Sequence, residues 1–188
     1  MKKIIKSDKK QSENKFSFFI YWTSGDIDVD LAKILESIAK KETNNSIKIM
    51  ILARYNFLLN DLEIIRSRYP SYNIVLSTVH GAKGNEADYV IVIGMDTGKY
   101  GFPSKIEDDP VLNIVVTEGD DFEDAEERRL FYVAITRTKG PVFLLGSMYN
   151  KSIFINELIS EYKNEILKLY SYSTKTFKVD YITAVRSA

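Results

Sequence analysis

Short apolar runs alternate with amphipathic stretches along this chain, and the alternation predicts strands that follow one another through helices. The apolar runs are of strand length, and glycine, serine, asparagine or aspartate residues stand close to their ends. The run at 89–94 is almost continuously apolar, which is typical of a central parallel strand buried on both faces. Strands are predicted at residues 16–22, 47–52, 73–78, 89–94 and 142–145.

Helical signals of different kinds mark four other stretches. In the first, apolar residues at the spacing i, i+3, i+4 and i+7 put four side chains on one face. These residues are Leu31, Ile34, Leu35 and Ile38. The third stretch follows Asp121, a residue type that caps helices, and it ends before Gly140 and Pro141. Helices are predicted between Asp26 and Lys41 and at residues 56–69, 122–138 and 153–169.

This order of elements is typical of an α/β fold, with a mainly parallel sheet between helices on both faces. Such sheets bind ligands at the carboxyl ends of their strands, so we expect the site there. Residues 95–121 lack a clean periodicity and are predicted to form an irregular excursion over the strand ends. We expect a disordered leader at 1–15, one domain at 16–169 and a tail at 170–188 whose order the pattern does not decide.

The composition is that of a globular domain with balanced charge. Of the 188 residues, 45% are hydrophobic, which is ordinary for a packed core. Lys plus Arg and Asp plus Glu both number 26, so any nucleic-acid binding must come from a few local contacts. The sequence has no cysteine, no apolar run long enough to span a bilayer and a polar N-terminal start. We therefore expect a cytoplasmic protein without a membrane partner.

Two blocks of sequence carry the chemistry. Residues 78–94 read T-V-H-G-A-K-G-N-E-A-D-Y-V-I-V-I-G, and residues 126–139 read E-E-R-R-L-F-Y-V-A-I-T-R-T-K. Together they resemble motifs V and VI of the superfamily I DNA helicases of the UvrD/Rep type. The resemblance implies the second, RecA-like (P-loop NTPase-type) motor domain of such a helicase. The G-x-x-x-x-G-K-[ST] phosphate loop of the first motor domain does not occur in this sequence.

Three residues are candidates for contacts to ATP. The resemblance implies that Arg137 is an arginine finger on the γ-phosphate, a role that the planar guanidinium suits. Arg54, in I-L-A-R-Y-N, stands where motif IV places a second cationic contact to the triphosphate. Glu86 stands where the family pattern places a carboxylate on the ribose hydroxyls. The alternatives are a cation at a helix C-terminus for Arg137, a surface ion pair for Arg54 and an exposed loop acid for Glu86.

Two further residues are candidates for contacts to single-stranded DNA. The resemblance places Thr78 and His80 on the strand's backbone, where a hydroxyl and an imidazole hold phosphates without reading bases. His80 is the chain's one histidine. A structural role or a catalytic base are its alternatives, and no nucleophile motif or zinc ligand set accompanies it. The turn at 81–84, G-A-K-G, lacks the G-K-[ST] ending, so we interpret it as a tight turn rather than a phosphate loop.

The short distance between Arg54 and Thr78 leaves no room for the long accessory insertion of UvrD and Rep, so the chain is more similar to the helicase IV branch. The resemblance implies that ATP, with Mg²⁺ held mainly by the other domain, binds between this chain and an N-terminal phosphate-loop motor domain. The chain alone is therefore predicted to be inactive. Two alternatives remain: a helicase-like ATPase that remodels RNA polymerase, and a non-catalytic nucleotide- or DNA-binding module.

Overall fold

A seven-stranded sheet organises the computed structural model, which describes residues 18–42, 46–106 and 124–162 and the backbone of two further strands. Its order is β3-β2-β4-β5-β1-β6-β7, and among these described strands only β6 and β7 pair antiparallel. The mainly parallel sheet that the sequence predicts is confirmed. The strands are β1 (Phe18–Trp22), β2 (Lys48–Ala53), β3 (Asn73–Thr78), β4 (Tyr89–Val92), β5 (Val142–Gly146), β6 (Ile166–Tyr170) and β7 (Lys178–Asp180).

Helices cover both faces of the sheet, as predicted. One face carries α1 (Ile27–Ala39), a 3₁₀ helix (Asn56–Leu62) and α2 (Glu63–Arg68). The other face carries α3 (Ala125–Ile135) and α4 (Ile153–Glu161). The sheet therefore separates two apolar clusters, and each cluster receives every second residue of the central strands.

Strand β2 shows how this division arises from the pleat. Ile49 and Ile51 enter the cluster under α1, whereas Met50 and Leu52 enter the cluster under α3, and all four are fully buried. Successive side chains of a strand point to opposite faces, so a strand buried on both faces must be apolar throughout. Each such side chain contributes about 1.5–3 kcal/mol relative to an exposed one.

Helix α1 forms as its spacing predicts. The carboxylate of Asp26 accepts hydrogen bonds from the backbone N–H groups of Asp28 (3.1 Å) and Val29 (3.2 Å), which caps the first turn. The four apolar residues predicted to share a face are all buried in the first cluster. The predicted amphipathic packing of this helix is confirmed.

The prediction for residues 153–169 is wrong in its second half. Helix α4 ends at Glu161, and residues 166–170 form β6, which pairs parallel with β1. The sequence I-L-K-L-Y suits a strand as well as a helix, and the edge of β1 offers backbone partners that the local pattern does not reveal. Strand β7 then pairs with β6, so part of the predicted tail at 170–188 belongs to the sheet.

Two other helices differ from their predictions in extent. The first half of the segment at 56–69 is a 3₁₀ helix rather than an α-helix. Helix α3 ends at Ile135, and the hydroxyl of the next residue, Thr136, donates to the carbonyl groups of Tyr132 and Val133. Arg137 consequently lies two residues beyond the helix. The predicted cap Asp121 and residues 122–123 lie outside the described residues, as does the predicted leader at 1–15.

Residues 95–106, the described part of the predicted excursion, are irregular as expected. Phe102 is fully buried, and its ring meets those of Phe131 and Phe154 edge-on. A Cβ atom on Gly101 would lie 2.0 Å from the carbonyl oxygen of Asp96, so this close turn requires glycine. The excursion therefore contributes the Phe102 ring to the apolar cluster under α3 and α4. Residues 107–121 of the prediction lie outside the described part of the chain.

Candidate functional site

Thr78 and His80 lie at the carboxyl end of β3, in a turn held by the core. The N–H of Val79 donates to the carbonyl of Ala53 (3.0 Å), and Val79 and Ala82 are fully buried. The Thr78 hydroxyl accepts the N–H of Gly81 at 3.2 Å. His80 is exposed. The His80 imidazole is thus exposed on a turn whose backbone is held by the buried residues on either side of it.

The turn at 81–84 lacks the geometry of a phosphate loop. No helix follows it within the described residues that lead to β4, because residues 85–87 run on without regular structure. Gly84 has a φ of 84°, a left-handed conformation that favours glycine, and this explains its presence at the end of the turn. The interpretation of G-A-K-G as a tight turn agrees with this arrangement.

Arg54 follows the carboxyl end of β2 and makes an ion pair. Its Nε donates to Oε1 of Glu127 at 2.8 Å, and the side chains are only 19% and 11% exposed. The other carboxylate oxygen of Glu127 accepts the backbone N–H of Ser104 at 2.9 Å. The guanidinium also lies 5.0 Å from the ring centre of Tyr55. In this conformation Arg54 has the carboxylate partner that the alternative interpretation expected.

Glu86 and Arg137 lie together at the amino edge of the sheet. The N–H of Ala87 donates to the carbonyl oxygen of Arg137 at 2.9 Å. Because Ala87 follows Glu86, this hydrogen bond ties the two segments that carry Glu86 and Arg137 to each other. Glu86 is exposed and Arg137 is half-buried. The Arg137 side chain folds back over α3, where Nε donates to the carbonyl of Val133 (2.9 Å) and Nη2 to the hydroxyl of Thr136 (3.3 Å).

Further contacts strengthen this amino-edge joint, which we define as residues 86–88 packed against residues 137–140. The hydroxyl of Thr138 donates to the carbonyl of Asp88 at 2.8 Å and accepts the N–H of Gly140 at 2.9 Å. The Asp88 carboxylate accepts the N–H of Lys48 at 2.8 Å. A Cβ atom on Gly140 would lie 2.5 Å from the Asp88 carbonyl oxygen, so the two segments touch backbone to backbone.

The five candidates therefore divide between the two edges of the sheet. Arg54, Thr78 and His80 lie at the carboxyl edge, where we expected the whole site, whereas Glu86 and Arg137 lie at the amino edge. Residues 79–88 carry the chain from one edge to the other, so a single motif contributes to both. Strand β2 has six residues, which puts the edges on the order of 17 Å apart at roughly 3.3 Å per residue. This structure does not bring Arg54 next to Arg137.

Sequence reasoning missed Glu127, which links three parts of the carboxyl edge. It lies in the first turn of α3, is buried, and binds both Arg54 and the excursion at Ser104. The signal was present, because Glu127 is the second residue of the E-E-R-R block. Its partner Arg54 is 73 residues away, and no local pattern predicts such a pairing.

The described residues contain neither a metal-ligand cluster nor a membrane-spanning helix. Within residues 18–42, 46–106 and 124–162, no three His, Cys, Asp or Glu side chains are grouped so that they could hold a metal ion. No helix in the described part of the chain is both long and apolar enough to cross a membrane.

Comparison with known proteins gives consistent matches. The profile of one protein family, UvrD-like helicase C-terminal domain, matches residues 28–149. DNA helicase IV of Escherichia coli (strain K12) is 40% identical over 112 residues, which are 59% of this chain and 16% of that protein. The probable DNA helicase II homolog of Mycoplasma capricolum subsp. capricolum is 31% identical over 118 residues, 56% of this chain and 15% of that protein. The chain thus spans less than a fifth of these relatives.

Proposed function

The chain belongs to the family of UvrD-like helicase C-terminal domains, and we propose that it is the C-terminal motor domain of an ATP-dependent DNA helicase or translocase. In this proposal, ATP binds between this domain and a phosphate-loop motor domain of the same full-length protein. Mg²⁺ accompanies the ATP and is held mainly by that other domain. The matched relatives are named as DNA helicases, which supports the proposal.

The amino-edge joint is the observation that carries the nucleotide part of this proposal. It fixes Glu86 and Arg137 in neighbouring segments through the hydrogen bond from Ala87 to the Arg137 carbonyl (2.9 Å). These are the two residues to which the resemblance assigns the ribose and the γ-phosphate. A domain that completes an ATP site from outside needs such a pair on a rigid backbone, because misplacement of a charged group weakens its effect on the transition state.

Arg137 is the residue we propose as the arginine finger. Its present acceptors are a carbonyl and a hydroxyl, both uncharged, and a phosphate oxygen is a stronger acceptor for a guanidinium. An arginine supplied from outside a phosphate loop contributes about 10³ to 10⁵ in rate. Glu86, which is exposed, would accept hydrogen bonds from the two ribose hydroxyls.

Arg54 is proposed as a second contact to the triphosphate in the closed state of the two domains. Glu127 holds it in the described conformation, so the contact requires Arg54 to exchange a carboxylate for a phosphate. Glu127 would keep the backbone N–H of Ser104 as a partner after the exchange. The exchange makes the position of the Arg54 side chain dependent on nucleotide binding, whereas Arg137 pairs with no carboxylate in the part of the chain that the structure describes.

Thr78 and His80 are proposed to hold the backbone of single-stranded DNA. The exposed imidazole and the turn that follows β3 lie on a buried support, which suits contacts that are independent of base sequence. Closure and reopening of the two motor domains would then move this contact along the strand. The chain alone is expected to hydrolyse no ATP and to bind DNA weakly, because its net charge is zero.

Strand binding by the full-length protein tests the proposal. We expect Thr78→Ala and His80→Ala to weaken the affinity for oligo-dT, oligo-dC and a mixed strand by the same factor, since backbone contacts carry no sequence information. Fluorescence anisotropy at fixed salt measures this, with Ser71→Ala, an exposed hydroxyl before β3, as the control. A loss of affinity confined to one base composition would point to base readout. Unchanged affinity for all strands would contradict the proposed strand grip, by which we mean Thr78 and His80.

A further inference from the structure

Three aromatic side chains, Tyr55, Phe57 and Tyr100, pack against one another outside the two described core clusters. The rings of Tyr55 and Phe57 are stacked with centroids 5.6 Å apart, and Tyr100 meets them edge-on at 5.9 and 5.3 Å. Phe57 is 49% exposed and Tyr100 is 50% exposed. We call this group the aromatic platform. Two large rings side by side and half in water indicate an interaction surface rather than a core.

The platform is held from beneath by polar contacts. The hydroxyl groups of Tyr55 and Ser104 are hydrogen bonded to each other. The Ser104 hydroxyl donates to the carbonyl of Lys99 (3.2 Å), and its backbone N–H donates to Glu127 (2.9 Å). The segments that carry the three rings are therefore tied together before any ligand binds, which lowers the conformational entropy lost on binding.

Cationic groups lie over two of the rings. The guanidinium of Arg54 is 5.0 Å from the ring centre of Tyr55, and the amino group of Lys99 is 5.5 Å from that of Tyr100. Lys99 is exposed. Glu127 balances the charge of Arg54, so the lysine gives this surface its positive side. Aromatic rings interleaved with cations are the composition of sites that stack the bases of single-stranded nucleic acids.

The platform stands beside the proposed strand grip. Ala53, the last residue of β2, pairs in register with Thr78, the last residue of β3. Tyr55 follows Ala53 by two residues, and Tyr100 lies in the excursion that follows the next strand of the sheet, β4. The three rings of the platform and the strand grip of Thr78 and His80 consequently lie at the carboxyl edge of neighbouring strands.

We propose that Phe57 and Tyr100 stack on bases of a single DNA strand whose backbone is held by Thr78 and His80. The inference rests on the proposed function, because it assigns a second set of contacts to the same strand. Stacking accepts every base, since each has a π-face, and it therefore suits a protein that moves along any sequence. A protein partner fits less well, because three rings offer a small apolar area compared with a stable protein interface.

The test compares two strands of equal length that differ only in their bases. Binding of the full-length protein to oligo-dT and to an abasic strand is measured by fluorescence anisotropy without ATP. Phe57→Leu and Tyr100→Leu should each weaken oligo-dT binding by about five-fold to a hundred-fold, because one stacked base is lost. Binding to the abasic strand and the salt dependence should not change, since no phosphate contact is removed.

Matched variants separate stacking from a loss of folding. Phe57→Trp keeps an aromatic face and should retain oligo-dT binding. Tyr162→Leu removes a ring that is 39% exposed beyond the last turn of α4 and should change neither affinity. Thr78→Ala should weaken both strands equally, because it removes a backbone contact.

The outcomes distinguish this inference from the proposed function. The inference that the platform stacks on bases is wrong if the Phe57→Leu and Tyr100→Leu variants bind oligo-dT like the native protein while Thr78→Ala weakens binding to both strands. If Thr78→Ala and His80→Ala also leave both affinities unchanged, the strand grip fails as well. Loss of binding to RNA polymerase with unchanged oligo-dT affinity would overturn the inference and make the platform a protein-docking surface.

Discussion

The two arginines of the nucleotide hypothesis are held by acceptors of different strength. Arg54 donates to the carboxylate of Glu127, whereas Arg137 donates to the carbonyl of Val133 and the hydroxyl of Thr136. Both guanidinium groups are charged donors, but only the contact of Arg54 joins two opposite charges, so breaking it also separates an ion pair. Arg137 can therefore reach a ligand at lower cost than Arg54, which makes it the stronger candidate for the finger.

The Arg54–Glu127 pair should be a measurable stabilising contact in the chain itself. We expect a double-mutant cycle of Arg54→Met and Glu127→Gln to give a coupling free energy of about 1–3 kcal/mol, because the pair is largely shielded from water. Urea unfolding of the two single variants and the double variant measures it. The exposed pair Arg66 and Glu63 on α2 is the control and should couple by about 0.5 kcal/mol or less. A coupling near zero for Arg54 and Glu127 would show that Arg54 is already free.

Asp96 should make stability depend on pH. Burial raises the pKa of this carboxyl group, and the hydrogen bond from the Ser147 N–H opposes the rise. The folded state holds the proton more strongly than the unfolded state, in which the carboxyl group has its ordinary pKa of 3.8. The free energy of unfolding therefore falls as the pH rises from 3.8 through the raised pKa of the folded state. The destabilisation then persists at neutral pH.

Asp96→Asn removes this ionisation and retains an oxygen that can accept the Ser147 N–H. We expect the variant to be more stable than the native chain at pH 7 and equally stable at acidic pH, where Asp96 is protonated in both states. Thermal unfolding across pH measures the difference, with the exposed Asp61→Asn as the control. An Asp96→Asn variant that is less stable than the native chain at pH 7 would show that the contacts of the ionised carboxylate outweigh the cost of burying its charge.

Among the elements, those with one unambiguous periodicity were predictable. Strand β3 has the predicted bounds, and α1 buries the predicted face, because an apolar pattern that fits one period leaves no alternative. The residues of β6 fit both periods, so the neighbouring strand β1 decided their structure. The motif blocks identified the candidate residues. They could not show which edge of the sheet each occupies, because that depends on where the crossover at 79–88 ends.

The amino-edge joint should be sensitive to added volume. Gly140→Ala places a Cβ atom 2.5 Å from the carbonyl oxygen of Asp88, and neither the Cβ, which is bonded directly to Cα, nor the backbone carbonyl can rotate away. We expect a loss of about 1–3 kcal/mol in the free energy of unfolding. Gly81→Ala is the control and should cost less, because its Cβ would meet the hydroxyl groups of Ser77 (2.9 Å) and Thr78 (3.3 Å), which belong to side chains rather than to the backbone. Equal stability of the Gly140→Ala and native chains would mean that the joint is looser than described.

At the scale of the whole molecule, the proposed contacts lie at two edges of the sheet. The nucleotide contacts Glu86 and Arg137 lie at the amino edge, whereas the strand contacts Thr78 and His80 lie at the carboxyl edge, together with Arg54, the proposed second contact to the triphosphate. Residues 79–88 connect the two edges and are anchored by the buried Ala82. In the proposed motor, this crossover is the shortest covalent path between the ATP site and the DNA. A displacement of one end on domain closure would therefore reach the other directly.

The central claim is that Arg137 completes an ATP site, and DNA-stimulated ATP hydrolysis by the full-length protein tests it most directly. We expect Arg137→Ala to lower turnover by about 10³ or more with the fold intact, because the charge that stabilises the transition state is removed. Arg68→Ala, an exposed arginine of α2 on the opposite face, should keep native turnover. Native turnover in Arg137→Ala would contradict the account and leave Arg137 as a cation at the end of a helix.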